Sequence, residues 1–265
     1  KPLLNGTLAP AGMTMQDDLA FAHRNIFQHP NVGPFIGKQL IQKLVTSEPS
    51  PAYVARVTAV FNDNGAGQRG DLKAVVRAIL LDAEARGARK IDPAYGKLVE
   101  PVLYMTGIAR AAAARSDGVY FRLQSQSLGQ FVFYPASVFN YYPFDYVVPG
   151  TPLLGPEFGI QTSTTAINRA NFANGLLFAN GIAPDPTVYG ATGTRLDLGR
   201  YQALAADAPA LVELLDRDLL GGTMPAAMRS AIVTAVNAVA ATDSLNRARN
   251  ALYLVVTSPH YQVQR

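Results

Sequence analysis

The sequence predicts an all-α protein: a multi-helix packed bundle with a long aromatic- and proline-rich irregular segment in the middle. Apolar residues recur with the 3.6-residue helical period over residues 14–115 and 197–258, and residues that start or end helices stand at nearly every expected place. The alternation of apolar and polar residues that is typical of β-strands is almost absent. Because amphipathic helices bury one face, we expect them to pack on one another.

The first three helices are each predicted from a starting residue. Thr14 stands three residues before Asp17, as in a capping box, and opens the first helix. Pro34 at a first helical position opens the second. Ser50-Pro51 opens the third, which the glycine-rich stretch NDNGAGQRG then ends. The positions expected to face the core are Leu19, Ala22, His23, Ile26 and Phe27 in the first helix, Ile36, Leu40, Ile41, Leu44 and Val45 in the second, and Tyr53, Val54, Val57, Val60 and Phe61 in the third.

Two more helices are predicted before the middle of the chain. Asp71 caps the fourth, which is expected to bury Leu72, Val75, Val76, Ile79 and Leu80. The fifth is predicted from Lys97 to about Arg115. Pro101 is compatible with it only if the helix starts near Leu98, because proline lacks the N–H that a helix interior needs.

The last third of the chain repeats the helical pattern. Asp207 before Pro209 opens a helix that Gly221-Gly222 closes, and Thr223 and Pro225 open the next. A final helix is predicted from Ser244 to Thr257, before Pro259. The core-facing positions are Leu211, Val212, Leu214 and Leu215, then Met228, Ala231, Ile232, Ala235 and Val239, then Leu245, Ala248, Leu252 and Val255.

The middle of the chain has a different composition. From Leu123 to Asn168 there is no Lys or Arg, and prolines and glycines recur every few residues. One helix is expected from Ser163 to about Phe178, and Phe131 to Tyr134 is a strand candidate with little to pair with. We therefore predict a single helical domain over residues 1–265, with helical parts at 1–115 and 197–265 and a loop-rich aromatic part at 116–196.

The stretch FYPASVFNYYPFDYVVPG, residues 133–150, contains seven aromatic rings, three prolines and one charge. Each ring carries on the order of 150–250 Å² of surface, so we expect most of the rings to be covered. In one interpretation the segment lies flat on the helical body. In the other, two or three of Tyr134, Tyr141, Tyr142 and Tyr146, together with Asn140 and Asp145, line a groove for a sugar-like or peptide-like polymer. The ligand-binding candidates are Tyr134, Asn140, Tyr141, Tyr142 and Tyr146.

Composition excludes several classes of function. The chain has no cysteine, and its three histidines, His23, His29 and His260, do not have the spacing of a metal site, so no metal site is predicted. No apolar run approaches the roughly 20 residues of a membrane span. The net charge of +4 is scattered along the helices, without the Lys/Arg clusters that nucleic-acid binding requires. Motifs for phosphate-binding loops, dinucleotide binding and serine hydrolases are absent from the sequence, and no cofactor can be identified.

Several stretches resemble a bacterial family known as domain of unknown function 1800. They are HPNVGPFIGKQLIQKLVTSEPSPAYVARVTAVF from residue 29, RGDLKAVVRAILLDAEAR from 69, SVFNYYPFDY from 137, LLGPEFGIQ from 153 and LYLVVTSPHYQVQR from 252. The resemblance implies a largely helical, exported protein, periplasmic or secreted, of which this chain matches about the C-terminal half. It also implies two partners: an N-terminal half of the same precursor, and a sulfatase-like exported protein that is often encoded beside the family.

Two hypotheses of function follow. The first is an exported helical protein that acts as a binding or assembly component at the cell envelope, with the aromatic segment as its contact region. The second is a hydrolase of an envelope or extracellular polymer, whose candidate acid/base residues are Asp145 and Glu157 and whose site would be completed by the missing N-terminal half. The chain starts at Lys1 without an initiator Met or a signal peptide, so we expect a processed chain with an exposed apolar surface on its N-terminal helices.

Overall fold

The computed structural model describes residues 1–92 and 94–265. In that part it contains thirteen α-helices and four strands of two residues each, which confirms the predicted all-α fold class. The helices are α1 Met15–Gln28, α2 Val32–Leu44, α3 Pro51–Asn62, α4 Leu72–Leu81, α5 Ala83–Arg86, α6 Pro101–Ala111, α7 Val119–Ser127, α8 Ser163–Phe178, α9 Gly199–Gln202, α10 Ala208–Leu215, α11 Ala226–Asn237, α12 Ser244–Val256 and α13 Pro259–Gln262. Within this described part, none of the helices has the length and apolar character that a membrane crossing requires.

The strands form two short antiparallel pairs. β1 Lys97–Leu98 pairs with β4 Val263–Gln264, and β2 Arg115–Ser116 pairs with β3 Thr194–Arg195. Short 3₁₀ turns lie at Leu4–Gly6, Ala88–Ile91 and Pro156–Ile160, and a π-helical turn at Asp216–Leu220 follows α10 directly.

The chain divides into two compact units, residues 1–96 with Arg265, and residues 97–264. The predicted single domain stays a prediction. In the first unit α2, α3 and α4 pack around a core of Ile41, Tyr53, Val57, Phe61, Val75, Ile79 and Ala85. The Tyr53 hydroxyl donates to the Ile79 carbonyl oxygen over 2.6 Å, which ties α3 to α4. Arg56 donates twice to the Asp82 carboxylate, at 2.7 Å each, where Asp82 caps α5.

Helix α1 departs from the prediction. The sequence predicts that its apolar stripe is buried, but none of its residues is, and Leu19, Ile26 and Phe27 are exposed. His23, predicted to face the core, is exposed as well. The expected exposed apolar surface on the N-terminal helices is therefore confirmed. Arg69 holds the end of α1 by donating to the carbonyl oxygens of Phe27 and His29 at 3.0 and 3.1 Å.

The second unit has a larger core, formed where α6, α8 and α10 to α12 meet. Its centre includes Tyr104, Phe172, Leu176, Leu211, Leu215, Leu252 and Val255. Two arginines are buried in it. Arg247 donates to three oxygens at 2.6–2.9 Å: the carbonyls of Ala205 and Val239 and the side chain of Asn237. Arg169 donates to the Val99 carbonyl at 2.8 Å, but among the described residues its Nε and Nη1 have no partner, and burial lowers the pKa of Arg169 to about 10.

Several element bounds confirm or correct the sequence predictions. The helix from Ser163 to Phe178 is confirmed, as are the caps at Thr14, Ser50, Asp71 and Asp207. The fifth predicted helix is shorter than expected: α6 starts at Pro101, because Lys97 and Leu98 pair with β4 instead. Helix α7 lies in the part expected to be irregular, and Phe131 to Tyr134, the strand candidate, form a turn.

Candidate functional site: the aromatic segment and its base

The aromatic segment, residues 133–150, exposes apolar side chains at one end. Phe133 is 89% exposed, Tyr134 60%, Val138 94% and Phe139 82%. We call these four residues the aromatic tip. Four of the seven rings of the segment are exposed, since Phe144 joins the three rings of the tip, so the expectation that most rings are covered is wrong.

The backbone of the tip is held in an unusual conformation. Phe133 and Asn140 have positive φ angles of 67° and 84°. A bulky side chain at positive φ is rare, and such positions cost on the order of 1–3 kcal/mol each. Between them, the Ser137 side chain accepts from the Phe139 N–H at 3.1 Å, and the Asn140 N–H donates to the Ser137 carbonyl at 3.2 Å. This turn fixes Val138 and Phe139 at its corner, where both point into solvent.

The ring of Tyr134 is 60% exposed and stacks on a neighbouring ring. It stacks on Phe131 with ring centroids 4.6 Å apart and an angle of 13° between the rings. The guanidinium of Arg122, on α7, lies 5.0 Å from the centroid of Phe131 and 5.9 Å from that of Tyr134. Such cation–π contacts orient exposed rings. Tyr134 therefore presents an ordered, partly free aromatic surface.

The middle of the segment is tied to the helical body. The Tyr141 hydroxyl donates to the Phe131 carbonyl, and the Val132 N–H donates to the buried Ser125 hydroxyl at 3.1 Å. The Tyr146 carbonyl accepts from the Gly155 N–H at 2.9 Å. A Cβ on Gly155 would lie 2.5 Å from the Val148 side chain, so glycine is needed for this close approach.

The segment also contributes to what we call the buried polar cluster: Lys97, Glu100, Gln130, Tyr142 and Glu157. Lys97 comes from β1, Glu100 precedes α6, Gln130 follows α7, and Glu157 stands in the 3₁₀ turn at 156–160. All but Glu100 are buried. The cluster thus joins the start of α6, the end of α7 and the aromatic segment.

Electrostatics connect the members of this cluster. The Lys97 Nζ lies 3.8 Å from a carboxylate oxygen of Glu100 and 3.8 Å from one of Glu157. The Gln130 side chain accepts from the Val102 N–H at 3.0 Å and donates to Glu100. Burial first, and then the nearby carboxylates of Glu100 and Glu157, raise the pKa of Tyr142 well above its usual range, and the neutral phenol donates to Glu100.

The five ligand-binding candidates predicted from sequence occupy different surroundings. Tyr134 is exposed in the tip, Asn140 shapes its turn, Tyr141 and Tyr146 are partly buried, and Tyr142 is buried in the polar cluster. They do not form one aromatic face, and their role as ligand-binding residues stays a prediction.

The two acid/base candidates are also placed differently. Glu157 is buried beside Lys97, whereas Asp145 is exposed and its carboxylate makes no hydrogen bond or ion pair with a described residue. A catalytic role for the two carboxylates stays a prediction. Within the part of the chain that is described, no three His, Cys, Asp or Glu side chains lie together as metal ligands would.

Sequence reasoning missed Lys97, Glu100 and Gln130. One signal pointed toward such a partner: Glu157 lies in a stretch without Lys or Arg, and a buried carboxylate needs a cation from elsewhere in the chain. The sequence offered no means to choose Lys97, sixty residues away, as that cation. Chemically, the cluster is suited to fixing the base of the segment, because four of its five members are shut off from solvent.

These features define an all-helical protein that presents an ordered aromatic tip on a buried polar base. Residues 1–263 match the model of the family described as protein of unknown function DUF1800, so the chain belongs to this family. Neither the curated proteins nor the solved structures gave a match.

Proposed function

We propose that this protein is an exported binding and assembly component of the cell envelope, which docks onto a partner protein through the aromatic tip. The observation that carries the proposal is the exposure of Phe133, Val138 and Phe139 on a turn whose backbone is fixed. Each Å² of apolar surface that is removed from water contributes on the order of 25 cal/mol of favourable free energy. A partner that covers these side chains would therefore be bound more tightly by several kcal/mol.

The shape of the tip favours a partner protein over a polymer chain. Side chains exposed to this degree stand out from the surface, whereas a polymer chain would be held by rings that line a groove. Tyr141 and Tyr142, which could have lined one, are occupied by contacts inside the protein. Protruding aromatic residues that insert into a pocket are typical of the few residues that dominate protein–protein affinity. The sulfatase-like exported protein implied by the family resemblance is the first partner to test.

A photo-crosslinking experiment in the native host tests the contact. Phe139 is replaced by p-benzoylphenylalanine, which keeps an aromatic side chain at that position. Tyr189, fully exposed outside the aromatic segment, receives the same replacement as a matched control. We expect a protein adduct of defined mass from position 139 alone, and its loss when Phe133→Ser is added. Equal adducts from both positions, or adducts only to glycan, would overturn the docking proposal.

The location is tested separately. Fractionation of native cells should recover the protein in the periplasmic or extracellular fraction, while a cytosolic marker enzyme stays behind. Recovery of the protein in the fraction that contains the cytosolic marker would overturn the proposed export. The docking surface would then still be tested by the crosslinking experiment.

A further inference from the structure

A second surface feature lies in the second unit, away from the aromatic tip in sequence. It is a cleft of about 380 Å³ between α6, α9, α13 and the π-helical turn. Its polar side chains are Arg110, Arg200, Tyr201, Asp218 and Tyr261. A cleft of this size is in the range that holds a small organic molecule.

Of the two arginines in the cleft, one is paired with a carboxylate and the other makes no ion pair with a described residue. The Arg200 guanidinium is paired with the Asp218 carboxylate at 2.7 Å, and the Tyr201 hydroxyl donates to the same carboxylate at 3.4 Å. The Arg110 guanidinium, by contrast, makes no hydrogen bond or ion pair with any described residue. The cleft therefore carries a net positive charge, and one of its guanidinium groups is open to a ligand.

Tyr261 adds a neutral donor beside Arg110. Its hydroxyl reaches over α6 at Gly107, where a Cβ would lie only 2.5 Å away, and it has no hydrogen-bond partner in the described part of the chain. Burial raises the pKa of Tyr261 to about 12, against a smaller opposing effect of Arg110. The phenol therefore keeps its proton, and can donate it in a hydrogen bond, at any physiological pH.

The π-helical turn gives the cleft its wall. Asp216 fixes this turn: its side chain accepts from the Met224 N–H at 2.9 Å and pairs with Arg229. Asp218 and Leu219 follow within the same turn and line the cleft. Single π-helical turns are rare, and those that occur are frequently found at functional sites. Leu219 and Ala111 provide an apolar side against which the body of a ligand can pack.

We propose that this cleft binds a small organic molecule through one oxyanionic group, a phosphate, sulfate or carboxylate, held by the Arg110 guanidinium and the Tyr261 hydroxyl. Arginine suits this task because its planar fork matches two oxygens of such a group. Arg200 completes the positive end of the cleft, while Asp218 keeps it oriented. The site is independent of the aromatic tip, so the failure of either proposal leaves the other intact.

Titration calorimetry of the full chain with phenyl phosphate, inorganic phosphate and benzoate tests the proposal. We expect saturable binding of at least one of the two aromatic anions, tighter than that of inorganic phosphate because the ring contacts the apolar side. Saturable binding of phenyl phosphate but not of benzoate would identify the oxyanionic group of the ligand as a phosphate. Saturable binding of benzoate alone would identify it as a carboxylate. Absence of saturable binding by all three compounds would overturn the proposal.

Three variants locate the site. Arg110→Gln should weaken binding about tenfold or more, because the charge-assisted hydrogen bonds of the guanidinium are lost. Tyr261→Phe removes only the hydroxyl, and Gly107→Ala displaces it; each should weaken binding by about three- to tenfold. The matched control is Arg195→Gln, an exposed arginine elsewhere in the second unit, which should bind like the unmodified protein. Equal weakening by Arg110→Gln and Arg195→Gln would show non-specific charge attraction and refute the assignment.

Discussion

Replacing Lys97 with methionine tests whether the buried polar cluster holds the second unit together. The Lys97 side chain has no exposed surface, and its ammonium lies 3.8 Å from both Glu100 and Glu157. Methionine fills a similar volume without the charge, so the buried Glu157 carboxylate and the partly exposed Glu100 carboxylate would lose the ammonium group that lies beside both. Removing one partner of a buried ion pair costs about 3–5 kcal/mol of unfolding free energy, and we expect Lys97→Met to fall in that range.

A double-mutant cycle separates this electrostatic effect from a packing defect. Glu157→Gln removes the more deeply buried carboxylate, whose side chain is 1% exposed, and keeps its shape. Once Glu157 is neutral, the loss of Lys97 leaves only the partly exposed Glu100 without its cation. The double variant Lys97→Met/Glu157→Gln should therefore be more stable than the sum of the single effects predicts, by about 1–3 kcal/mol.

Urea unfolding followed by circular dichroism measures these free energies, and hydrogen exchange in α6 and α12 assigns the transition to the second unit. Lys73→Met, at an exposed position of α4, is the matched control and should change stability by no more than about 0.5 kcal/mol. A change below about 1 kcal/mol for Lys97→Met, or additivity within about 0.5 kcal/mol in the cycle, would refute the reasoning.

Three further predictions concern single contacts. Arg247→Met should cost about 3 kcal/mol of unfolding free energy because it removes the three hydrogen bonds of a buried guanidinium. Arg169→Met removes one hydrogen bond and two nitrogens, Nε and Nη1, that have no partner among the described residues, so it should cost at most about 1 kcal/mol; equal losses in thermal unfolding would contradict this. Tyr53→Phe should cost about 1 kcal/mol through the lost bond across the first core, and an unchanged urea midpoint would show that this bond contributes nothing. The hydrogen bonds from Arg56 hold the pKa of Asp82 below its usual range. The stability that they contribute is therefore fully present above the pKa of an aspartate in the unfolded chain, about 4, and is lost as the pH falls through the lower pKa of Asp82 in the folded protein. Asp82→Asn should therefore cost about 1 kcal/mol near neutral pH, and its stability should converge with that of the unmodified protein in acid.

Local sequence signals account for most of the helices. Thr14, Ser50 and Asp71 each accept a hydrogen bond from a backbone N–H three residues on, so the information for these helix starts is contained within four residues. The start of α8 was predictable for the same reason, since Thr162 and Thr165 form a reciprocal capping box there. Elements whose ends depend on distant partners were not predictable. Lys97 and Leu98 leave the predicted helix only because β4 offers them a strand to pair with.

Which apolar faces are covered could not be predicted from periodicity. The stripe of α1 and that of α3 have the same helical spacing, yet the first is exposed and the second lies in a core. A hydrophobic period shows which face of a helix is apolar, but burial also requires another element opposite that face. The same limit applies to the aromatic segment, where composition alone suggested covered rings. It equally explains why the cleft around Arg110 could not be foreseen, because Arg110, Arg200 and Tyr261 come from three helices far apart in the chain.

The aromatic segment and the buried polar cluster combine three features that each oppose stability unless something else compensates for them. Phe133 and Asn140 have unfavourable backbone angles, and the rings of Phe133 and Phe139 remain in water. In the buried polar cluster, the ion pair of Lys97 and Glu157 is the kind of buried group that apolar residues could replace with little loss or some gain in stability. A segment selected only to cover the helical body would bury its rings on that body and would need neither the strained turn nor the buried charges. The arrangement suits the proposed docking role, because side chains held in one conformation before binding lose less entropy when a partner covers them.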